Sequence, residues 1–423
     1  MRLLRHPVKR ATFVAVILGA VVSLVASAPS SAVTHTGLSS ALAPGPCETN
    51  GVLLELTSVV PEVPNAAQIA AQVQAQPASG CSSTAAITKL VTAAKQSTPA
   101  KWSGPTKPAP APKKHLKLAL ISCASAFHGC VTPLIGVQQA AKALGWSTVM
   151  YDGGGSGSKS NADILNAISL HVDAILESDI NPAIIQQGLT AAKKAGIPVI
   201  SAASGSDSPN PKVQTSKGQV NPIADVSVNF VTAGRQQSDW IIQDSGGTAH
   251  VLELSDPEYS SGVSTVGSVD EFNKRCPKCT VAALNFTGSQ VGTLGTEVVG
   301  YIRTHPDINY VIPPYDPSAA AIIPAIAQAG FTKVKVCSLL GIQQNIAFIR
   351  SGNVQVCDAA FDNVNVGWAM VDQLIRHLDH LPLWNPHGEN SPQVLLDKTN
   401  LPAEGVDWST PFNFRSHYKK LWR

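Results

Sequence analysis

The run Leu116-Lys-Leu-Ala-Leu-Ile-Ser122 is apolar and has the length of a β-strand. It is followed by Pro133-Leu-Ile-Gly-Val-Gln-Gln-Ala-Ala-Lys-Ala-Leu-Gly145, whose apolar residues recur with helical period. A second β-rich run, Trp146-Ser-Thr-Val-Met-Tyr151, comes next and ends at a loop of glycine and serine. The order predicts a strand, a helix and a second strand.

The same alternation continues as far as Ser204. Helical periodicity from Asn161 to Leu170 precedes the run Val172–Glu177, and a helical segment Pro182–Ala195 precedes the run Ile197–Ser201. Parallel strands need a crossover helix to reconnect them, so this pattern predicts an α/β protein with a doubly wound parallel sheet.

A second series of alternating runs begins after Asp225-Val-Ser-Val-Asn-Phe230. Its predicted strands are residues 249–254, 280–285, 308–312, 333–337 and 354–359, with 393–397 as a closing strand. A chain of 423 residues is long enough for two domains, each with its own core. A cleft between two similar halves is the natural place for a ligand.

Parts of the first series resemble type I periplasmic binding proteins, the sugar-type solute-binding proteins of ABC transporters that are related to the ribose binders. The resemblance rests on Ala143-Leu-Gly-Trp146, on Asp152 after the next strand, on Val172-Asp-Ala-Ile175 and, most closely, on Ala192-Lys-Lys-Ala-Gly-Ile-Pro-Val199. It extends over residues 114–402 and is weaker in the second half.

This resemblance implies two doubly wound lobes joined by a three-segment hinge, with crossings near Val228, Phe361 and Pro386. Members of the resembled family close over a small molecule without altering it and present it to a membrane permease. The resemblance therefore implies a monomer with an ABC transporter permease as its partner. The predicted parts are lobe 1 (114–228 and 362–385), lobe 2 (229–361 and 386–402) and a C-terminal tail (403–423).

Residues 1–32 have the composition of an export signal peptide. Met1–Arg10 is basic, Ala11–Ala28 is apolar, and small residues allow cleavage after Ala28 or after Ala32. A retained membrane-spanning helix is the alternative, because about 20 apolar residues cross a bilayer. No cysteine follows closely, so a lipid anchor is not predicted. We expect an exported, extracytoplasmic protein.

Residues 33–113 form an extension rich in alanine and proline. It contains possible helices at Ala66–Gln74 and Ser83–Ala94, followed by a Pro/Lys spacer, Pro105–Lys114. One interpretation is a helical or disordered surface extension. The other is a segment that crosses the cell wall or docks a partner.

The eight cysteines of an exported chain predict disulfide bonds. Neighbouring positions suggest the pairs Cys47–Cys81, Cys123–Cys130, Cys276–Cys279 and Cys337–Cys357. Cys276-Pro-Lys-Cys279 could instead be a redox pair or half of a zinc knuckle. It follows a helical segment and has no second ligand pair, so a structural bridge is favoured.

Aromatic side chains follow predicted strands at the cleft side of both halves, where ligands bind to parallel sheets. Phe127 lies where sugar binders of the resembled family place stacking rings; it could equally anchor its loop under the Cys123–Cys130 bridge. Tyr259 and Tyr315 lie in corresponding loops of the second half and supply both a ring and a hydroxyl. His128 could donate to a ligand or simply be solvated.

Three carboxylates, Asp179, Asp316 and Asp362, are expected at the cleft, where they would suit vicinal hydroxyls or an ammonium group. Asp316 follows a strand of the second half much as a polar residue does in the resembled family, and it is the first candidate. Asp362 lies at the final crossover and could instead tie the hinge.

The chain departs from ribose-type binders where those proteins grip sugar hydroxyls. Ala203-Ser204 stands in place of an Asp-Arg pair, Leu340 in place of an acid, and Phe361 in place of a glutamine. Ser264–Asp270 also lacks the arginine expected there. We therefore expect Ser204 and Phe361 in a pocket less polar than a pentose or hexose requires. The ligand is then a sugar or a more apolar molecule.

Other functional classes have little support in the sequence. The net charge is +3 and the basic residues are scattered, which predicts no nucleic-acid partner. Gly153–Ser160 only approaches a P-loop, because Ser158 stands where glycine must precede the lysine. No nucleophile elbow or metal-binding histidine pair occurs, so we predict no enzymatic activity, metal or cofactor.

The predicted function is the capture of a small molecule for an ABC transporter. Two alternatives remain open. One is a ligand-sensing module that acts through a membrane partner, and the other is an exported enzyme on the same architecture.

Overall fold

A computed structural model describes residues 83–96, 101–109, 115–204, 219–256, 259–384, 389 and 391–423. The predicted signal peptide, most of the predicted extension, the Cys47–Cys81 pair and Pro386 lie outside these residues. None of the helices in the described part of the chain is long and apolar enough to cross a membrane.

The described chain begins with helix α1 (Thr84–Lys95), close to the helix predicted in the extension. The first sheet follows, with five parallel strands in the order β2-β1-β3-β4-β5. Its elements are β1 (Lys117–Ser122), α2 (His128–Leu144), β2 (Ser147–Asp152), α3 (Gly157–Ser169), β3 (Ala174–Ser178), α4 (Gln186–Ala195), β4 (Val199–Ala202) and β5 (Ala224–Val226).

Sequence features explain why these elements form where they do. All residues of β3 and β4 are buried, because helices cover both faces of a parallel sheet, and this gives near-continuous apolar runs. Helices α2 and α4 end at Gly145 and Gly196, whose φ values of 75° and 69° favour glycine. The doubly wound sheet predicted from residues 113–204 is confirmed.

The second sheet has six strands in the order β11-β10-β9-β8-β6-β7, and only β11 runs antiparallel to its neighbour. Strands β6 to β10 repeat the order of the first sheet. The elements are α5 (Phe230–Asp244), β6 (His250–Ser255), α6 (Ser264–Arg275), β7 (Thr280–Asn285), α7 (Val291–Thr304), β8 (Tyr310–Ile312), α8 (Asp316–Gln328), β9 (Lys335–Leu340), α9 (Gln343–Ser351), β10 (Gln355–Phe361), α10 (Asn363–Leu378) and β11 (Gln393–Asp397).

The described chain passes between the two sheets after β5, after β10 and before β11. It leaves the first sheet after β5, returns after β10 so that α10 packs on α2, and enters the second sheet again at β11. We call the first sheet with its helices and α10 lobe 1, and the second sheet with its helices lobe 2. The predicted two-lobed α/β architecture is confirmed.

Residues 403–423, predicted to be a tail, contain helix α11 (Phe414–Leu421), which packs against α10 of lobe 1. Trp422 stacks on Trp368 with ring centroids 5.4 Å apart, and its Nε1 donates to Asp372 over 2.7 Å. Tyr418 and Trp422 are buried. The C-terminal segment therefore contributes to the core of lobe 1, and it adds a crossing between the lobes after β11.

The described parts of the N-terminal extension contact both lobes. Helix α1 packs on α5 and β11 of lobe 2, where Lys95 Nζ lies 2.8 Å from Asp397 Oδ2. Residues 101–109 lie on lobe 1, where Trp102 stacks on His417 at 4.8 Å and Ala109 N donates to Leu421 O over 2.8 Å.

Three of the predicted disulfide bonds lie within the described residues and are formed: Cys123–Cys130, Cys276–Cys279 and Cys337–Cys357. The Cys276–Cys279 pair is therefore a bridge, which answers the zinc interpretation of that motif.

Candidate functional site

The carboxyl ends of the strands of both lobes face each other, and a closed space lies between them. We call it the interlobe cavity. It has room for about one water molecule, so the lobes are nearly shut on each other. Its lining comes from both lobes: Gly129, Pro133, Asp179, Ala203, Val226, Ser227, Val228, Phe230, Ser261, Leu340, Phe361, Asn363 and Val366.

A larger pocket of about 380 Å³ opens beside the interlobe cavity, and we call it the outer pocket. The glycine and serine loop at residues 155–158 forms one wall, and Tyr259 of lobe 2 forms another. Asp179 lines both spaces and therefore lies where they meet. The loop that approaches a P-loop in sequence is thus a wall of the cleft.

An aromatic cluster joins the two lobes at this place. The ring of Phe127 in lobe 1 lies 6.0 Å from that of Tyr259 and 6.3 Å from that of Tyr315, both in lobe 2. Tyr259 and Tyr315 meet edge to face at 5.5 Å, and Phe286 lies 6.0 Å from Tyr315. Rings at these distances attract one another, so the cluster favours the closed arrangement.

Phe127 lies in a loop that a disulfide bond closes, and its ring faces lobe 2. It precedes α2 and lies between Cys123 and Cys130, whose disulfide bond closes the loop. Its half-buried ring nevertheless reaches the rings of lobe 2. The bridge holds the loop that presents the ring to the cleft.

Tyr315 is tied to the interior of lobe 2. Its hydroxyl donates to Asp256 Oδ2 over 2.6 Å, and Asp256 is fully buried. Burial, and then the charge of Asp256, raises the pKa of Tyr315, so this hydroxyl stays protonated.

Asp179 follows β3 directly and has a backbone φ of 56°, a region uncommon for residues other than glycine. Its N–H donates to Ala202 O over 2.7 Å, which fixes the turn. Ser204 follows β4 and lines neither the interlobe cavity nor the outer pocket. It is buried, and its N–H donates to Asp225 Oδ1 over 3.0 Å.

His128 and Asp362 make contacts with the C-terminal segment. His128 Nε2 lies 2.7 Å from Asp407 Oδ2, and this hydrogen bond raises the pKa of the imidazole. Asp362 accepts from Asn365 N at the start of α10 and from Thr410 N, each over 2.9 Å. Asp362 therefore links the start of α10 to the C-terminal segment, which fits its interpretation as a residue that ties the hinge.

Asp316, the first candidate among the carboxylates, is fully buried in lobe 2. It accepts from Ile342 N over 2.9 Å. Burial, followed by the nearby carboxyl of Asp358, raises the pKa of Asp316 well above its usual range. In this arrangement its carboxyl is closed off from the cleft, because it holds the turn after β9 instead.

Phe361 lines the interlobe cavity, with its ring 6.1 Å from that of Phe230. Ser227, Ser261 and Asn363 also line the cavity and were not selected from the sequence. Ser261 and Asn363 follow the strands predicted at residues 249–254 and 354–359. The sequence could have indicated these residues only as polar residues that follow predicted strands. Many other loop residues have the same feature.

Metal-binding side chains come close together near the interlobe cavity. Within the described residues, the one group with suitable spacing is Cys123, Cys130 and Asp179, whose donor atoms lie within 4.8 Å of one another. Both cysteines are joined in a disulfide bond, so the group offers a single carboxylate. The residues present do not fit a structural metal.

A family model described as "Periplasmic binding protein domain" matches residues 131–381, more than half of the 423-residue chain. The comparison with curated proteins finds no match.

Several solved structures share the fold. One is a subunit of an ABC sugar transporter from Rhodobacter sphaeroides (16% identity, TM-score 0.59), which covers 67% of this chain and 99% of that one. A solute-binding protein of an ABC transporter from Mycobacterium smegmatis, with bound glycerol, gives 18% identity and a TM-score of 0.58 over 70% of this chain and 99% of that one. A third, a solute-binding protein of an ABC transporter from Agrobacterium vitis bound with α-D-tagatopyranose, has 19% sequence identity and a TM-score of 0.60. The match covers 69% of this chain and 97% of that one.

Proposed function

This chain belongs to the periplasmic binding protein family, and on that premise we propose that it is an exported solute-binding protein of an ABC transporter. It captures a small molecule between lobes 1 and 2 and delivers it, unaltered, to a membrane permease. The solute is a sugar or a more apolar molecule.

The interlobe cavity is the observation that carries this proposal. Residues of both lobes line it, and rings of both lobes meet beside it. A space made jointly by two lobes exists only when they are closed, so a ligand bound there stabilises the closed form by its differential affinity.

Entry of a solute requires the lobes to separate, because the closed cavity holds only about one water molecule. Rotation about the crossings after β5 and β10 separates Phe127 from Tyr259 and Tyr315. Closure over the solute then returns these rings to contact. Transport binding proteins work by this kind of hinge motion.

A thermal-shift screen of the mature protein tests the proposal. Sugars, aromatic compounds and polycyclic compounds are screened, and a ligand at about a hundred times its dissociation constant adds about 2.7 kcal/mol to the stability of the folded state. Calorimetry gives the affinity of each hit, and mass spectrometry of the released compound shows whether it is unchanged.

We expect at least one compound to raise the melting temperature and to be recovered intact. Recovery of a converted product would favour the enzyme alternative. A screen without any stabilising compound would contradict solute binding.

A further inference from the structure

We infer that the solute is a neutral ring compound with few polar groups, such as a monohydroxylated alicyclic or aromatic molecule, rather than a polyhydroxylated sugar. The inference rests on the proposed function and specifies its ligand. It comes from the side chains that line the interlobe cavity.

Most of the lining is hydrocarbon. Eight of the 13 lining residues have side chains made only of carbon and hydrogen, among them Leu340, Phe361 and Val366. Each hydroxyl of a sugar that is buried against such a surface without a partner costs free energy. A cavity of this composition therefore favours a molecule with more carbon surface.

Leu340 is the last residue of β9, and the turn that follows places its side chain at the cavity. Its φ of 133° lies in the region that favours glycine, so the backbone is strained at a bulky residue. The turn is fixed by two fully buried carboxyls: Gly341 N donates to Asp358 over 3.0 Å and Ile342 N donates to Asp316 over 2.9 Å.

The strained turn brings an apolar group across the cleft. A Cβ atom added at Gly129 of lobe 1 would lie 2.9 Å from Leu340 Cδ1, so the leucine already touches the other lobe. Two buried acids, Asp316 and Asp358, hold the turn, yet the side chain at position 340 is apolar. Here it presents a methyl group to the ligand.

Four of the lining residues have polar side chains: Asp179, Ser227, Ser261 and Asn363. The hydroxyl of Ser227 already donates to Val228 O over 2.8 Å. Ser261 is 1% exposed, and its hydroxyl has no partner among the described residues. Because a buried hydroxyl without a partner is costly, Ser261 fits a ligand that carries a hydroxyl or carbonyl at that edge.

Three compounds with the same six-carbon ring test this inference: myo-inositol, cyclohexane-1,4-diol and cyclohexanol. Calorimetry on the full mature protein measures their affinities. We expect affinity to rise as hydroxyls are removed, by at least about tenfold from inositol to cyclohexanol.

Two sets of variants make the test specific. Ser261→Ala is expected to weaken cyclohexanol binding about tenfold, whereas Ser264→Ala is the matched control. Ser264 has an equally buried hydroxyl without a partner among the described residues, but it does not line the cavity. Leu340→Gln and Phe361→Gln should each shift the preference toward inositol.

Inositol binding as tightly as cyclohexanol, or no binding by any of the three, would overturn this inference. The proposed function would still stand if sugars stabilise the protein in the screen. Only failure of the whole screen removes both.

Discussion

Phe127 is the side chain of lobe 1 that reaches the rings of lobe 2, at 6.0 Å from Tyr259 and 6.3 Å from Tyr315. At the scale of single residues, such contacts decide affinity, because a ring buries much apolar area at a small entropic cost. Single buried acids affect a different quantity, the free energy of unfolding.

Replacing Phe127 by alanine should weaken binding of the solute about tenfold, a loss of about 1.4 kcal/mol. The ring is only half-buried and lies at the edge of the core, so the fold should persist. Calorimetry with the solute found in the screen gives the affinity.

Phe412→Ala is the matched control for Phe127→Ala. Phe412 is also half-buried against an aromatic ring, 5.7 Å from Trp102, but it is not among the residues that line the cleft. Equal affinities of the two variants would show that Phe127 only anchors its loop.

We expect Glu253 to make the free energy of unfolding depend on pH. It is fully buried in β6, and burial raises its pKa to about 8, although a hydrogen bond from Ser268 opposes the shift. The carboxyl is therefore neutral in the folded protein at pH values where it ionises in the unfolded chain. Its contribution is complete below about pH 4.5 and is lost as the pH rises toward 8.

Glu253→Gln should remove this loss. Between pH 5 and pH 8 the free energy of unfolding should fall less in the variant than in the wild type, by on the order of 3 kcal/mol. Urea denaturation at both pH values measures the difference. Glu404→Gln, at an exposed position, should keep the wild-type dependence.

Helices α2 and α10 cross at glycines, and α5 and α6 do the same in lobe 2. A Cβ atom at Gly367 of α10 would lie 2.0 Å from Pro133 O of α2, and one at Gly234 of α5 would lie 1.8 Å from Ser264 O of α6. At the scale of elements, backbone contact of this kind fixes how each helix pair sits on its sheet.

Gly367→Ala should destabilise the protein by at least about 2 kcal/mol, because the added methyl forces α2 and α10 apart. Gly300→Ala in α7 is the control, since no atom lies within 4 Å of its added Cβ. That variant should be neutral or stabilised by up to about 1 kcal/mol through helix propensity. Equal melting temperatures for both variants would contradict close packing at Gly367.

At the scale of the whole molecule, the described residues show two segments that contact both lobes beyond the predicted hinge. The C-terminal segment leaves β11 and reaches lobe 1 as α11, and Asp407 within it contacts His128 of lobe 1 and Gln343 N of lobe 2. The extension places α1 on lobe 2 and residues 101–109 on lobe 1. We expect both segments to limit how far the lobes can separate.

Lengthening the extension should let the lobes open further. Residues 97–100 join its two docked parts, and the chain from Gln96 to Lys101 spans at most about 18 Å. Ten Gly/Ser residues inserted between residues 98 and 99 should increase the radius of gyration of the ligand-free protein in small-angle X-ray scattering.

The matched control is the same insertion between Gly352 and Asn353, in an exposed turn after α9. It adds equal mass without touching a connection between the lobes. The same radius of gyration for both insertions would mean that the extension does not restrain the hinge.

Local patterns in the sequence predict the strands and helices, because each depends on neighbouring residues. The runs 116–122 and 393–397 match β1 and β11 closely, and cysteines close in sequence form three of the disulfide bonds. Family resemblance and strand ends also directed attention to Phe127, Tyr259, Tyr315 and Phe361.

The sequence by itself determined the alternation of strands and helices, and with it two parallel sheets whose carboxyl ends could form a cleft. Only the tertiary structure decided that Asp316 is buried, that Asp407 pairs with His128, that α1 packs on lobe 2 and that α11 packs on lobe 1. The physical reason is separation along the chain. Periodicity reports which face of a segment is apolar, but contacts between residues about 300 positions apart, such as Lys95 and Asp397, depend on how the faces of separate elements fit.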